Sequence, residues 1–494
     1  MSLIIAKIAY IIAFLSLYTI AFLPIEQNRY LSSNDVYQVS SVEKSPDSFQ
    51  VSKYTESKQQ QVLSSSSNSS KTILNLIPGL SIIETDDNNE CYFVNTTIGE
   101  AKFPLIIDTG SAYLWVYGDD CTDAACSGEI LYTPTFASVS ESESATSTAT
   151  STFELAYVTG TASGEIMDDN IIVNKLATTQ KFKFGMANRV PDFFERYPVS
   201  GIFGFPSNDS SSIESIVSAL YDSHAIGVKR FSLSLGKINE NDSYLNNSGI
   251  FAIGEPVEEL YTGEIHYTPL ISNIYNYWLI EINSVYVNSF KLNFSSEVDT
   301  LLSPYTSREA IIDTGTTVLV LPDEDALTIH SFFTNSITDG TNFAIYCNSS
   351  LTIDFEINGK NFTLSSSDYI GAEYPTTSIY NGYCVSNIQG MSSTSQDWIL
   401  GAVFLKTLYL DFNVNDQTIG FATKKENVYL TSTATSTVTA TSSLSSSATL
   451  SLSIAGSSAI STSSYKGEGA SGPFPRGSSF SVVSLCSYFL FMLF

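Results

Sequence analysis

Two aspartates in nearly identical settings are the residues of this sequence best suited to chemistry. The segments Ile-Ile-Asp108-Thr-Gly and Ile-Ile-Asp313-Thr-Gly share all five letters, and apolar residues follow each of them. A carboxylate placed between two buried strands is costly unless it is hydrogen-bonded or functional. A single Asp-Thr-Gly is equally consistent with an ordinary turn. Its repetition indicates two equivalent functional loops.

The spacing of the two motifs predicts one motif in each half of a duplicated body. Asp108 and Asp313 are 205 positions apart, which is the size of a lobe. Two carboxylates brought face to face cannot both ionise easily, so one pKa rises and the pair shares a proton. Such a pair supplies a base and an acid together, as attack of water on an amide requires. We therefore expect Asp108 and Asp313 to be a catalytic dyad.

The elements that position these aspartates are expected to be mostly strands. Between residues 73 and 423, short apolar runs alternate with turn residues, a pattern typical of an all-β protein. Two segments, 210–221 and 323–334, have the apolar spacing or start signal of a helix. A Ser/Thr/Glu stretch at 138–151 predicts a surface loop. The clearest strand candidates are Tyr92–Ile98, Ile171–Val173 and Tyr277–Val287.

Residues 92–423 resemble the pepsin-like aspartic peptidases. The resemblance extends beyond the two motifs, because several further segments match this family in the same order along the chain. The resemblance implies an all-β, bilobal fold of two similar lobes with a cleft between them and few short helices. We expect an N-terminal catalytic lobe at 76–268 and a C-terminal catalytic lobe at 269–426. The segments that carry the resemblance are Trp115, Tyr157–Gly164, Val199–Gly204, Trp398–Gly401 and Tyr409–Ala422.

The resemblance also implies roles for the residues around the dyad. The aspartate of the first motif is usually assigned as the base in such enzymes, although the pair titrates as a unit. Tyr157 and Gly160 fall on a flap that closes over bound substrate. No cofactor and no metal are expected. The supporting positions are Thr109 and Thr314, which brace the loops, Gly110 and Gly315, which allow close approach, and Ser111 and Thr316, whose hydroxyls orient the carboxylates.

Six cysteines suit an oxidising compartment. The resemblance pairs Cys121 with Cys126 and Cys347 with Cys384. Cys91 is then left over, because Cys486 lies in a tail that we expect to be removed. A buried free thiol is the more common outcome for such a residue, and the state of Cys91 stays open. No Cys-x-x-Cys pair or His/Cys cluster indicates a metal site.

Both ends of the chain have the composition of processed or exposed segments. Lys7 precedes an apolar run, so residues 1–21 are expected to be a signal peptide, with an uncleaved anchor as the alternative. Residues 22–75 form a polar stretch whose position suggests a prosegment that covers the cleft until activation. Unlike the basic prosegments of the resembled family, it holds at least as many acids as bases and no dibasic site. Its end and its route of removal stay open.

The C-terminal tail indicates attachment to a membrane by a lipid. Residues 427–469 are rich in Ser and Thr and predict an O-glycosylated stalk. Residues 470–494 resemble a GPI-attachment signal that is removed, with Gly469 as the attachment site and Ala470 or Ser471 as alternatives. A transmembrane helix fits less well, because the terminal apolar run is short and no charge follows it. Eight Asn-x-Ser/Thr sequons fit a glycoprotein: Asn68, Asn95, Asn208, Asn241, Asn246, Asn293, Asn348 and Asn361.

The net charge of −27 argues against a nucleic-acid partner and suits a protein that works at acidic pH, or one that is simply soluble. The architecture as a whole resembles fungal yapsins, which are GPI-anchored aspartic proteases of the cell surface. This implies a monomer that acts on peptides or proteins at the plasma membrane or in the cell wall. It also implies a preference for basic residues, which four acids near the expected cleft can supply: Asp119, Asp120, Asp192 and Glu195.

Other functions fit less well. With three histidines and no Gly-x-Ser-x-Gly, a serine triad has little support, and no His-Glu-x-x-His is present for zinc. Glycosidases also use paired carboxylates, but not on duplicated Asp-Thr-Gly loops with a flap. The main rival is a cell-wall glycoprotein that keeps the protease fold but acts as a binding or adhesion module. Intact aspartates with Ser111, Thr316 and Tyr157 favour an active enzyme.

Overall fold

The computed structural model describes residues 20–21, 37–39, 72–86, 88–134, 151–157, 160–210, 214–236, 248–294, 307–391 and 397–431. Residues up to Thr435 form one compact unit, and all of the described residues belong to it. Most of the predicted signal peptide, prosegment and stalk, and all of the predicted GPI signal, lie outside the described residues. So does the predicted loop at 138–151, apart from Ser151.

Strands make up the first half of the body, as the alternation of apolar and polar residues predicts. In the segment Tyr92–Ile98 every second residue from Tyr92 onward is buried, because these side chains all point to one face of the sheet. The strands of this half, with those upstream of it, are β1 Ile20–Ala21, β2 Tyr37–Gln38, β3 Thr72–Asn75, β4 Leu80–Ile82, β5 Glu84–Thr85, β6 Tyr92–Ile98, β7 Ala101–Asp108, β8 Leu114–Tyr117, β9 Thr152–Tyr157, β10 Gly160–Asp169, β11 Ile171–Val173, β12 Leu176–Ala177, β13 Phe182–Arg189, β14 Gly201–Gly204, β15 Arg230–Leu235, β16 Gly249–Ile253 and β17 Tyr261–Pro269.

The second half repeats this construction. The apolar run 277–287 is divided between two strands, which belong to different sheets. The strands are β18 Leu279–Ile282, β19 Ser284–Val287, β20 Phe290–Lys291, β21 Arg308–Ile312, β22 Leu319–Pro322, β23 Ile337–Thr338, β24 Phe343–Tyr346, β25 Ile353–Ile357, β26 Lys360–Leu364, β27 Ile370–Glu373, β28 Tyr383–Ser386, β29 Ile388–Met391, β30 Trp398–Leu400, β31 Leu408–Asn413, β32 Thr418–Lys424 and β33 Val428–Thr431.

Helices are few and short in the part of the chain that the structure describes. The predicted helix at 210–221 begins only at Ile216, where the Ser215 hydroxyl accepts the backbone N–H of Ser218 at 3.1 Å and so caps the first turn. The helix predicted at 323–334 starts at Asp323, as expected, but ends at His330. The helices are α1 Ile216–Asp222, α2 Asp323–His330, α3 Ser366–Tyr369 and α4 Ala402–Leu405, with 3-10 turns at Ala124–Cys126, Asp192–Arg196 and Glu258–Leu260.

The strands that hold the two aspartates have the same arrangement in both halves. β7 runs parallel to β14, and β21 runs parallel to β30. The strand that follows each motif, β8 or β22, pairs antiparallel with that same neighbour. Each Asp-Thr-Gly therefore lies between two strands that are both paired with a third, which fixes the position of the turn.

A six-stranded sheet joins the two halves. Its order is β17-β32-β31-β15-β16-β4, so the strand pair β15–β31 brings residues from both halves side by side. Phe231 of the first half stacks on Phe412 of the second, with ring centroids 4.5 Å apart and planes 3° apart. The all-β, bilobal prediction is confirmed. The expected lobe boundary at 268/269 falls at the end of β17.

Both predicted disulfides are confirmed. Disulfides join Cys121 to Cys126 and Cys347 to Cys384, and Cys91 is a buried free thiol. Each bridge closes a loop within one half. Cys486 lies outside the described residues.

Candidate active site

Two threonines lock the aspartate loops against each other through four buried hydrogen bonds. The backbone N–H of Thr109 donates to Thr314 Oγ1 at 3.2 Å, and the N–H of Thr314 donates to Thr109 Oγ1 at 3.0 Å. The Thr109 hydroxyl donates to the Ile312 carbonyl at 2.8 Å, and the Thr314 hydroxyl donates to the Ile107 carbonyl at 2.7 Å. This reciprocal pattern fixes the separation and orientation of the two loops.

The two glycines leave room for the carboxylates to approach each other. A Cβ atom on Gly110 would lie 2.4 Å from Asp313 Cγ, and a Cβ atom on Gly315 would lie 2.4 Å from Asp108 Oδ1. Each glycine thus packs on the aspartate of the opposite loop. Asp108 and Asp313 face each other across the junction, and both side chains are fully buried.

The two carboxylates receive different numbers of hydrogen bonds. Asp108 Oδ1 accepts the N–H of Gly110 at 2.9 Å, and Asp313 Oδ1 accepts the N–H of Gly315 at 2.8 Å. The Thr316 hydroxyl donates to Asp313 Oδ2 at 2.7 Å. The Ser111 hydroxyl lies close enough to lower the pKa of Asp108, yet neither it nor Asp108 Oδ2 completes a hydrogen bond within the described residues.

Burial and mutual repulsion control the ionisation of the pair. Burial and then the charge of Asp313 raise the pKa of Asp108 well above its usual range. Burial also raises the pKa of Asp313, while the hydrogen bonds from Thr316 and the backbone and the nearby carboxyl group of Asp108 oppose that rise. Because two charges this close cannot both be kept in a buried site, the pair holds one proton between its carboxyl groups.

The predicted flap is a β-hairpin next to Asp108. β9 and β10 pair antiparallel, with Tyr157 opposite Gly160, and residues 158–159 between them lie outside the described residues. The indole N–H of Trp115 donates to the Tyr157 hydroxyl at 2.6 Å. Burial and the charge of Asp108 raise the pKa of Tyr157, so the phenol stays neutral and keeps its own O–H proton as a hydrogen-bond donor.

The four acids expected near the cleft are all exposed, but they lie in two places. Asp119 and Asp120 follow β8, where Asp120 Oδ2 accepts a long 3.5 Å bond from Asn188. Asp192 and Glu195 lie on a 3-10 turn whose Phe194 ring meets Trp115 edge-on at 5.5 Å. Asp192 and Glu195 therefore lie on a turn that packs against Trp115, the hydrogen-bond partner of Tyr157.

Sequence reasoning missed two groups at the dyad. The hydroxyl of Thr317 donates to the Glu90 carbonyl at 2.8 Å, a further bond between the halves. The second group is Tyr277. Burial raises its pKa most, followed by Tyr275 and by the charges of Asp313 and Asp108, so Tyr277 lies near the dyad. The one available signal was the position of Tyr277 at the start of a predicted strand, and its place beside Asp313 depends on strand pairing that a sequence does not show.

Several known proteins are similar to most of this chain. A sequence model of the eukaryotic aspartyl protease family matches residues 91–424. The aspartic-type endopeptidase ctsD of Aspergillus fumigatus is 28% identical over 371 residues, which cover 73% of this chain and 71% of that protein. A probable aspartic-type endopeptidase CTSD of Arthroderma otae is 27% identical, over 65% of this chain and 78% of its own. Pepsin A of Bos taurus is 29% identical, over 67% and 83%.

Proposed function

The chain belongs to the eukaryotic aspartyl protease family and is an aspartic endopeptidase, and we propose that Asp108 and Asp313 catalyse the cleavage as one proton-sharing unit. The observation that supports this proposal is the pair of buried, facing carboxylates on loops locked by Thr109 and Thr314. No other buried pair of acids in the described residues combines this symmetry with a flap.

The proposed reaction is direct attack of water on a peptide carbonyl. A water molecule between the two carboxyl groups loses a proton to the ionised one, while the protonated one donates to the carbonyl oxygen. The resulting tetrahedral intermediate then breaks at the C–N bond, and the nitrogen leaves with a proton from the pair. No covalent bond to the enzyme forms. Because the pair titrates as a unit, the base and acid roles belong to its protonation state and not to one fixed residue.

Tyr157 has a proposed role in holding the substrate. Its ring lies between the flap and Trp115, and the flap can close over a bound peptide and exclude water. Gly160 is the first residue of β10, directly after residues 158–159. It has a positive φ of 143°, a backbone conformation that other residues rarely adopt.

The test of the proposed function is cleavage of an unstructured protein at about pH 4, which lies between the two pKa values of a known proton-sharing aspartate pair. We expect Asp108→Asn to reduce kcat/KM by roughly a thousandfold or more. Asp222→Asn, which changes an exposed aspartate at the end of α1, serves as the control and should cleave normally. A folded Asp108→Asn variant with unchanged activity would exclude the dyad. An inactive wild type that is folded and free of its prosegment would favour the adhesion module.

We further propose that the enzyme acts at the cell surface through a GPI anchor at Gly469. The support is the order of signal peptide, stalk and terminal apolar run in the sequence. The described residues contain no helix with both the length and the apolar character needed to cross a membrane. Treatment of intact cells with a phosphatidylinositol-specific phospholipase should release the protein, and retention after complete treatment would count against the anchor.

Four of the sequons are well placed for glycosylation. Asn208, Asn293, Asn348 and Asn361 are exposed, whereas Asn95 is half-buried and donates to Glu84 at 2.6 Å. We propose glycosylation at the first four, with Asn95 the least accessible of the described sites. Asn68, Asn241 and Asn246 lie outside the described residues.

A preference for basic residues is also a proposal, supported by the exposed acids Asp192 and Glu195 beside the flap and by Asp119 and Asp120. Peptides that differ only in Lys or Leu at the residues flanking the cut bond provide the test. Equal kcat/KM for the two series would exclude the preference.

A further inference from the structure

A loop beside the dyad displays two adjacent apolar side chains to solvent. Ile274 is 87% exposed and Tyr275 is 42% exposed. Single exposed apolar residues are common on protein surfaces and need no explanation. These two differ because the loop that carries them, residues 271–277, ends at Tyr277, which lies near Asp313.

Strand pairing places the end of this loop next to Asp313. β18 pairs antiparallel with β21, with Leu279 opposite Ile311, and the N–H of Ile312 donates to the Trp278 carbonyl at 3.0 Å. The residues just before β18 therefore run past the residues just after β21. This register brings Tyr277 alongside the second aspartate.

The same loop is also held by the first half. The N–H of Ser207 donates to the Asn276 carbonyl at 2.8 Å. The indole of Trp278 donates to the Phe205 carbonyl at 2.8 Å, and the N–H of Phe205 donates to the Asp108 carbonyl at 2.8 Å. The loop is thus fixed to both catalytic loops and forms part of the junction between the halves.

One side chain holds the shape of the loop. Asn273 Nδ2 donates to the carbonyls of Ile271 and Tyr277 at 3.2 and 3.0 Å. Its Oδ1 accepts the N–H groups of Tyr275 and Tyr277 at 3.2 and 2.9 Å. Because the backbone is already fixed, a ligand that meets Ile274 and Tyr275 does not have to order the loop first.

Aromatic contact connects the exposed residues with the dyad. The Tyr275 ring stacks on the Tyr277 ring, with centroids 5.4 Å apart and planes 24° apart. Tyr277 is buried and packs with Leu279 and Ile311, the residues that precede and flank the second aspartate. Apolar contacts therefore connect the exposed Tyr275 with the strands beside Asp313, and Ile274 is the next residue along the exposed part of the loop.

We propose that the loop 271–277, with Ile274 and Tyr275 as its contact residues, is a specificity site that binds an apolar side chain of the substrate polypeptide outside the residues flanking the cut bond. The inference rests on the proposed function, because the substrate chain must pass the dyad to reach the loop. The occupant is aliphatic or aromatic, since an aromatic face and a branched aliphatic side chain offer dispersion and burial but no charge.

The test uses a polar peptide with one fixed cleavable core and a single Leu moved from position to position outside it. In the wild type, Leu at one remote position should raise kcat/KM about tenfold, the gain expected from partial burial of one apolar side chain. Ile274→Ser and Tyr275→Ser should each lose most of that gain. Ile77→Ser is the matched control, because Ile77 is 55% exposed and lies near the strand pair β3–β33, and it should keep the gain.

The short core peptide without Leu separates the possible outcomes. All variants should cleave it at the wild-type rate, which shows that they are folded and that the dyad is intact. Equal gains from the remote Leu in the wild type and both loop variants would overturn the specificity site while the proposed function stands. Failure of the folded wild type, free of its prosegment, to cleave the core would overturn both.

Discussion

The smallest side chains of the active site set the distance between its acids. Gly110 and Gly315 each lie where any Cβ atom would overlap the opposite carboxylate. Each residue of the Asp-Thr-Gly motif therefore has a separate role: Asp reacts, Thr binds the other loop, and Gly leaves the space that the other aspartate fills.

We predict that Gly110→Ala strongly impairs catalysis. The added methyl would lie 2.4 Å from Asp313 Cγ, so the carboxylate or the loop must move, and a shift of this size in a catalytic group lowers kcat about a hundredfold. Gly227→Ala is the control, because no atom lies within 4 Å of its Cβ position. Normal turnover by Gly110→Ala would mean that the carboxylates do not approach as closely as described.

Residue types could be predicted from the sequence, but their contacts could not. The repeated motif was sufficient to identify Asp108 and Asp313 as facing acids. Ser111 and Thr316 hold equivalent positions in the motifs, yet only Thr316 completes a hydrogen bond to its aspartate. A difference of this kind depends on rotamers and backbone position, which a local pattern does not encode.

At the scale of single elements, strands were predicted more accurately than helices. Tyr92–Ile98 and Ile171–Val173 match the observed strands, because alternation and turn residues define a strand locally. The run at 277–287 is interrupted at Asn283, since β18 pairs with β21 and β19 pairs with β25. The choice of pairing partner depends on tertiary structure, so the apolar periodicity of residues 277–287 does not reveal it.

Helix α2 carries a buried histidine that should make the fold sensitive to pH. His330 Nδ1 lies 2.7 Å from the Ala326 carbonyl and Nε2 lies 2.9 Å from Ser386 Oγ, so the neutral ring donates through Nδ1 and accepts through Nε2. Burial lowers the pKa of His330 to about 4. The unfolded chain, with a His pKa of about 6.5, therefore binds this proton first as the pH falls.

We predict that His330 lowers the free energy of unfolding as the pH falls from 6.5 to 4, by about 3 kcal/mol over that range, with no further loss below pH 4. His330→Gln should be less stable at pH 7 but should lack this decline. Unfolding by denaturant at several pH values measures the effect. The exposed His224, replaced by Asn, should behave as the wild type, and an unchanged pH dependence in His330→Gln would contradict the prediction.

At the scale of the whole molecule, two structures hold the halves together. The six-stranded sheet connects them over a broad surface, and the threonine bonds connect them at the dyad. The sequence predicted two lobes because the motif is repeated. It did not predict that β17 crosses to pair with β32 of the other half, because such pairing joins residues more than 140 positions apart.

We predict that Thr109→Val lowers the free energy of unfolding by about 1–3 kcal/mol, because the buried Ile312 carbonyl and Thr314 N–H lose their partner. Thr96→Val is a matched control, since Thr96 is equally buried but its hydroxyl makes no hydrogen bond in the described part of the chain. That variant should be neutral or slightly more stable. Equal stability of the two variants would mean that the threonine bonds do not contribute.

The claim that one proton shared by Asp108 and Asp313 drives the cleavage is tested most directly by the pH dependence of kcat/KM on a short peptide. We predict a bell-shaped profile, because activity fails when both carboxyl groups are protonated and again when both are ionised. Since burial and mutual repulsion raise the pKa of Asp108, activity should persist above the pH at which an ordinary aspartate has lost its proton. A profile that only rises with pH, following one ordinary carboxyl group, would show that a single ionised aspartate is sufficient and would contradict the shared-proton dyad.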